Sequence, residues 1–82
     1  MNRVNYLGEN IRRLRKYLGM NQAEFASRFG VSRQLVGFWE SGEREPSVAA
    51  LVLLEELGGY SLAGLCKQLV DFGKPDKGKR AE

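Results

Sequence analysis

Arg33 and Gln34 stand side by side directly after Ser32, and both carry side chains able to read a planar heterocycle through paired hydrogen bonds. A guanidinium fork matches O6 and N7 of guanine, and a carboxamide matches N6 and N7 of adenine. Gly37 and Phe38 follow one helical turn later. Phe38 can pack against a thymine methyl or mark a protein-contact surface. Gly37, which costs about 1 kcal/mol relative to Ala inside a helix, admits a close approach of backbone to DNA or is simply tolerated. Covalent and metal chemistry lack comparable material. There is no His, and Cys66 is the only cysteine, so His-based triads, His acid/base work, His-ligated metals and Cys-rich zinc sites are excluded. Ser, Asp and Glu are present without a visible set of nucleophile, base and orienting group. The chain is read as non-enzymatic, with no metal and no cofactor.

The elements that would position these residues are helical. Leu7, Ile11, Leu14 and Leu18 form one amphipathic stripe, with Arg12, Arg13 and Lys16 off it, and Gly19 can end that helix. Asn21 and Glu24 have the spacing of a capping box opening a second helix, whose apolar face is read as Ala23, Ala26 and Phe29. Gly30 ends it, and Ser32 caps a third helix running to about Glu40, closed by Ser41 and Gly42. Two short helices joined by so tight a turn pack at a steep angle only where small residues stand at the crossing. Ala26 supplies that contact and Gly30 the turn conformation. Val31, Val36 and Trp39 then point into the core, which leaves Ser32, Arg33, Gln34, Gly37 and Phe38 on the opposite face. Pro46 and Ser47 open a fourth helix from Val48 to about Leu57, apolar enough to be buried on several sides. Gly58 and Gly59 break it, and Ser61 caps a fifth, about 61–72, with Leu62, Leu65, Cys66, Leu69 and Val70 at helical spacing. The predicted fold is all-α, a compact bundle of four to five short helices containing a helix-turn-helix. The domain spans 1–73, with the helix-turn-helix at about 22–42 and a flexible basic tail at 74–82.

Charge distribution points the same way. The chain of 82 residues carries net +3, but residues 1–33 hold seven basic and two acidic residues, while residues 34–66 hold one and five. Such polarity can steer one face toward phosphate. The N-terminus lacks the apolar run of a signal peptide, and the longest apolar stretch, Val48 to Leu54, is too short to span a bilayer. A cytoplasmic protein without membrane partners is expected, and Cys66 is read as a small core or interface hydrophobe.

From Leu7 to about Leu57, some 60% of the chain, the sequence resembles the lambda-repressor/Cro-like (XRE-type) helix-turn-helix family. The resemblance rests on NQAEFASRFGVS, on Trp39-Glu40-Ser41-Gly42 and on Pro46 four residues beyond. It implies that the third helix enters the major groove while the second crosses the DNA backbone. It further implies that Asn21 and Gln22 donate to phosphate, helped by exposed backbone N–H groups at that helix start. Arg33, Gln34 and Phe38 fall at base-reading positions, and Ser32 reaches phosphate or base. Arg44, in the loop after the recognition helix, is a further phosphate candidate, weakened by its neighbours Glu43 and Glu45. Arg15 and Glu40 match a buried ion pair of the family.

Members of that family generally bind palindromic half-sites as two-fold dimers, about 34 Å apart. The apolar residues Leu62, Leu65, Leu69, Val70 and Phe72 exceed what a four-helix core needs, so the C-terminal helix is read as the homodimer contact. The first function expected is a bacterial or phage repressor or autoregulator acting on operator DNA. A second follows from the P-S-x-x-A-L-x-L-L-E pattern at Pro46 to Glu55, which resembles that of helix-turn-helix antitoxins and would add a toxin protein as partner. A third is a protein-interaction module without DNA binding, motivated by Gly37, Phe38 and the acidic loop. The tail lysines and Arg80 would add non-specific DNA affinity or form an ordinary solvated terminus.

Overall fold

The computed structural model describes residues 5–73. Among them are five helices and no strand: α1 (Leu7–Tyr17), α2 (Gln22–Phe29), α3 (Arg33–Ser41), α4 (Val48–Gly58) and α5 (Leu62–Lys67). The tail expected at 74–82 lies outside the described residues. Local chemistry opens four of the helices at side-chain caps. Asn21 accepts from the Glu24 N–H at 2.8 Å while Glu24 reaches back to the Asn21 N–H at 2.9 Å, a reciprocal capping box. Ser32, Ser47 and Ser61 each accept from the N–H three residues on. Leu7, Ile11 and Leu14 on α1, Phe25 and Ala26 on α2, Val36 and Trp39 on α3, and Leu54 on α4 meet in one core. Phe29, part-buried, packs against this core, with its ring 4.7 Å from that of Phe25 and edge-on to Trp39 at 5.5 Å.

Three expectations are corrected. The apolar face of α2 is Phe25, Ala26 and Phe29; Ala23 is exposed and Phe25 is fully buried. Phe25, Phe29 and Ala26 span an arc of about 100° around the helix, and the core meets that arc and leaves Ala23 beyond its edge. Secondly, α4 buries one side only: Ala50 and Leu54 face inward, while Val48 and Val52 are 76% and 50% exposed. Thirdly, α5 ends at Lys67 instead of running to about 72. Its continuation would require the Leu65 carbonyl to accept from the N–H four residues on. That carbonyl is taken by the side-chain amide of Asn10 at 2.7 Å, as is the carbonyl of Gln68 at 2.7 Å.

Gln68 is therefore extended, and the chain runs back along α1. The Val70 N–H donates to Asn10 Oδ1 at 2.8 Å, and Arg13 donates to the Val70 carbonyl at 3.2 Å. Asn10 is wholly buried and spends both ends of its amide on this segment. Of the five residues expected to face a second copy, Leu65 and Val70 instead enter the core, and Leu62 is part-buried against it. Phe72 packs on Tyr60 and Tyr17. Only Leu69 is exposed. Cys66 is part-buried, and burial, then the charge of Glu45, pushes its thiol up from the usual range, which suits a packing role more than a reactive one.

The approach of α1 to α3 is set by Gly8. A methyl there would lie 2.7 Å from the carbonyl oxygens of both Trp39 and Glu40, which are backbone atoms that cannot swing aside. Gly37, within α3, meets nothing nearer than the Gln22 amide at 3.9 Å. The two glycines thus have opposite expected signs. Gly8→Ala should lower stability by about 1–3 kcal/mol through overpacking, whereas Gly37→Ala should raise it by up to about 1 kcal/mol through backbone entropy; urea unfolding of the two variants checks both.

Candidate nucleic-acid interface

The bend between α2 and α3 is built by Gly30, which takes φ +70° in the left-handed region open to glycine. Its N–H and that of Val31 close back onto the last turn of α2, so Ser32 begins α3 at once. Because α3 turns its Val36 and Trp39 side into the core, Ser32, Arg33 and Gln34 are exposed and Gly37 and Phe38 half-exposed. The Ser32 hydroxyl oxygen accepts the Leu35 N–H at 3.0 Å, which leaves its own O–H free to donate outward. A shallow groove is bounded by Gln22, Arg33, Gln34, Gly37, Phe38 and Ser41, with the acidic Glu43 at its end. A second, adjoining depression is bounded by Asn21, Gln22, Ala23, Arg15 and Arg33. Gln22 and Arg33 belong to both, so the residues suited to phosphate and those suited to bases form one continuous surface.

Behind this surface lies a network centred on Glu40. Arg15 meets it with both arms of its fork, Nε to Oε2 at 2.6 Å and Nη2 to Oε1 at 3.2 Å. Its third nitrogen donates to the Met20 carbonyl at 3.1 Å. The side chains of Arg15 and Glu40 are only 11% and 7% exposed. The Gln22 amide also donates to Glu40 Oε1, at 3.1 Å. One of its two N–H bonds is thereby spent inside the protein, leaving the other and the carbonyl oxygen for a ligand. At the start of α2 the backbone contribution is smaller than the sequence implied. The N–H groups of Asn21 and Glu24 are already engaged in the capping box, and the Glu24 carboxylate stands beside them. Asn21 keeps its outward amide N–H bonds.

The positive charge of the N-terminal half is partly cancelled on site. Arg12 and Arg13 pair with Glu9 at 3.6 and 3.5 Å, and Arg15 is neutralised by Glu40. Lys16, Arg28, Arg33 and Arg44 have no ion-pair partner among the described residues. Arg44 lies beyond the groove, with its guanidinium 5.4 Å from the centre of the Phe38 ring. Sequence reasoning missed Gly8, Asn10 and Phe25. A glycine inside the α1 stripe and an Asn at the position between Leu7 and Leu14 that an apolar residue would fill were the signals for the first two. Among the described residues no group of His, Cys, Asp and Glu could hold a metal ion, and no helix is long and apolar enough to cross a membrane.

Two helices set at a tight glycine bend, the second presenting polar groups outward from a buried aromatic anchor, define a helix-turn-helix protein. The comparisons agree: the helix-turn-helix family model matches residues 11–65, and the chain belongs to that family, in its XRE-type form. An uncharacterized HTH-type transcriptional regulator of Sinorhizobium fredii is 38% identical over 55 residues, covering 67% of this chain and 71% of that protein. No solved structure matches the chain. Glu40→Ala should cost about 3–5 kcal/mol, since it strands a buried guanidinium, while replacing both Arg15 and Glu40 by Met should cost less than the single change; thermal unfolding of the set would show the order.

Proposed function

We propose that this chain is a sequence-specific DNA-binding transcriptional regulator, a cytoplasmic repressor or autoregulator of bacterial or phage type that binds a palindromic operator as a homodimer. One observation carries the reading. Arg33 and Gln34 project from α3 with no internal partner, on a surface continuous with Gln22, while the opposite side of the same helix is locked in the core by Val36 and Trp39. A rigid helix offering free bidentate donors is what major-groove readout needs. The name of the Sinorhizobium fredii relative, a transcriptional regulator, is consistent with it. In this reading Arg33 and Gln34 contact base edges, and Ser32 contacts base or phosphate. Asn21, Gln22 and Arg44 contact phosphate, and Gly37 leaves room for the groove wall, since no atom of this chain occupies that space.

The second copy would be held by α4. Val48 and Val52 are one turn apart and well exposed, whereas the C-terminal residues first expected there are mostly turned inward. The same exposed face favours, as a second reading, an antitoxin whose α4 meets a toxin protein. Sedimentation with DNA present separates the two: a dimer that Val52→Glu dissociates supports the first, and a monomer at high concentration counts against it.

Selection of bound sites from random duplex DNA tests the main reading. The expected product is a two-fold symmetric motif with half-sites about one helical turn apart. Arg33→Ala should then cost about 1–3 kcal/mol and relax preference at one position of each half-site, while Gln22→Ala should weaken all sequences alike. Unchanged preference in Arg33→Ala would remove that residue from base reading.

A further inference from the structure

Arg44 is flanked in sequence by Glu43 and Glu45, yet it forms an ion pair with neither. Its guanidinium stands over the Phe38 ring instead. The backbone makes this contact local and rigid. The Phe38 carbonyl accepts the Arg44 N–H at 3.3 Å, the Glu43 N–H at 2.9 Å and the Ser41 hydroxyl at 3.2 Å, so the loop after α3 folds directly back over residue 38. An aromatic face attracts a cation. A guanidinium held over a ring spends no N–H donor on a carboxylate and keeps its donors for another acceptor. Phe38 also walls the groove that contains Arg33, Gln34 and Glu43; Arg44 lies on the other side of that wall, in a depression that adjoins the groove at Ser41.

We infer that Phe38 is a positioning residue for Arg44: its ring holds the guanidinium away from Glu43 and Glu45, at the edge of the recognition surface, where the fork meets a DNA phosphate. This inference rests on the DNA-binding reading above, and it gives Phe38 a role distinct from the base contact that the sequence suggested. The ring face turned to Arg44 is the one that serves the cation. The acidic neighbours become intelligible too. Without the ring, either carboxylate would neutralise Arg44; with it, the cation is kept for the ligand.

The test uses the full chain and a duplex recovered by selection, with affinity measured between about 50 and 200 mM salt. Arg44→Gln should lower the slope of log affinity against log salt by about 0.9. Phe38→Leu keeps apolar bulk but removes the π face. It should shift the slope in the same direction and weaken binding about 2- to 5-fold, equally on all sequences. Phe38→Tyr should restore wild-type binding, and Phe38→Leu should add nothing in the Arg44→Gln background. In the free protein, ring-current shifts on the Arg44 side-chain protons report the contact independently of any variant's folding, and their absence would overturn the inference. So would a Phe38→Leu protein that changes preference at one base pair with its salt slope intact, or losses that simply add. A wild-type protein with no salt-dependent binding to any duplex would remove the DNA-binding reading itself, and that outcome is visible before any substitution is made.

Discussion

The Glu40 carboxylate is where three helices are tied. It belongs to the last turn of α3, accepts both arms of Arg15 from α1, and accepts the amide of Gln22 from the first turn of α2. A buried ion pair of this kind gives little net stability against an apolar replacement. What it does supply is registry. Two charges that must meet fork to fork admit one arrangement of α1 and α3, and the Gln22 bond fixes the start of α2 to the same point. The contact of α1 with α3 at Gly8 presses the same pair of helices together from the apolar side. The angle at which α3 is presented to solvent therefore depends on a polar knot beneath it.

That arrangement divides the labour among polar side chains. Arg15 and Glu40 cancel each other and contribute no net field at the surface. Gln22 is shared, with one donor held inside and the rest of its amide facing the groove. Arg33 and Gln34 are wholly uncommitted. An amide whose position is fixed by an internal bond loses less side-chain freedom on meeting a ligand than a free one would. The surface is thus graded from fixed to adaptable across a few residues, and two of the unpaired cations, Arg28 and Arg33, lie on the helices of the motif.

The C-terminal segment follows a different logic. Asn10 replaces two helical hydrogen bonds with its own amide and turns residues 68–72 into a strap across α1. This completes the core with Val70 and withdraws Leu62, Leu65 and Phe72 from solvent, wholly or in part. The exposed apolar surface is moved to α4, where Val48 and Val52 lie opposite Ala50 and Leu54.

What was legible in the sequence was local. Caps at Asn21, Ser32, Ser47 and Ser61, the bend at Gly30, and the inward side of α3 all depend on residues within a turn or two, where spacing dictates geometry. The five helices, the helix-turn-helix and the exposure of Ser32, Arg33 and Gln34 could be read in this way, and so could the likeness that paired Arg15 with Glu40. The early end of α5, the burial of Asn10, the close approach at Gly8 and the one-sided burial of α4 could not. Each is decided by a partner on another helix, 55 to 60 residues away in the case of Asn10, and periodicity says which residues share a face but not what that face meets. The same limit held for Phe38: its helix face was readable, but the guanidinium standing on its ring was placed by the fold of the loop behind it.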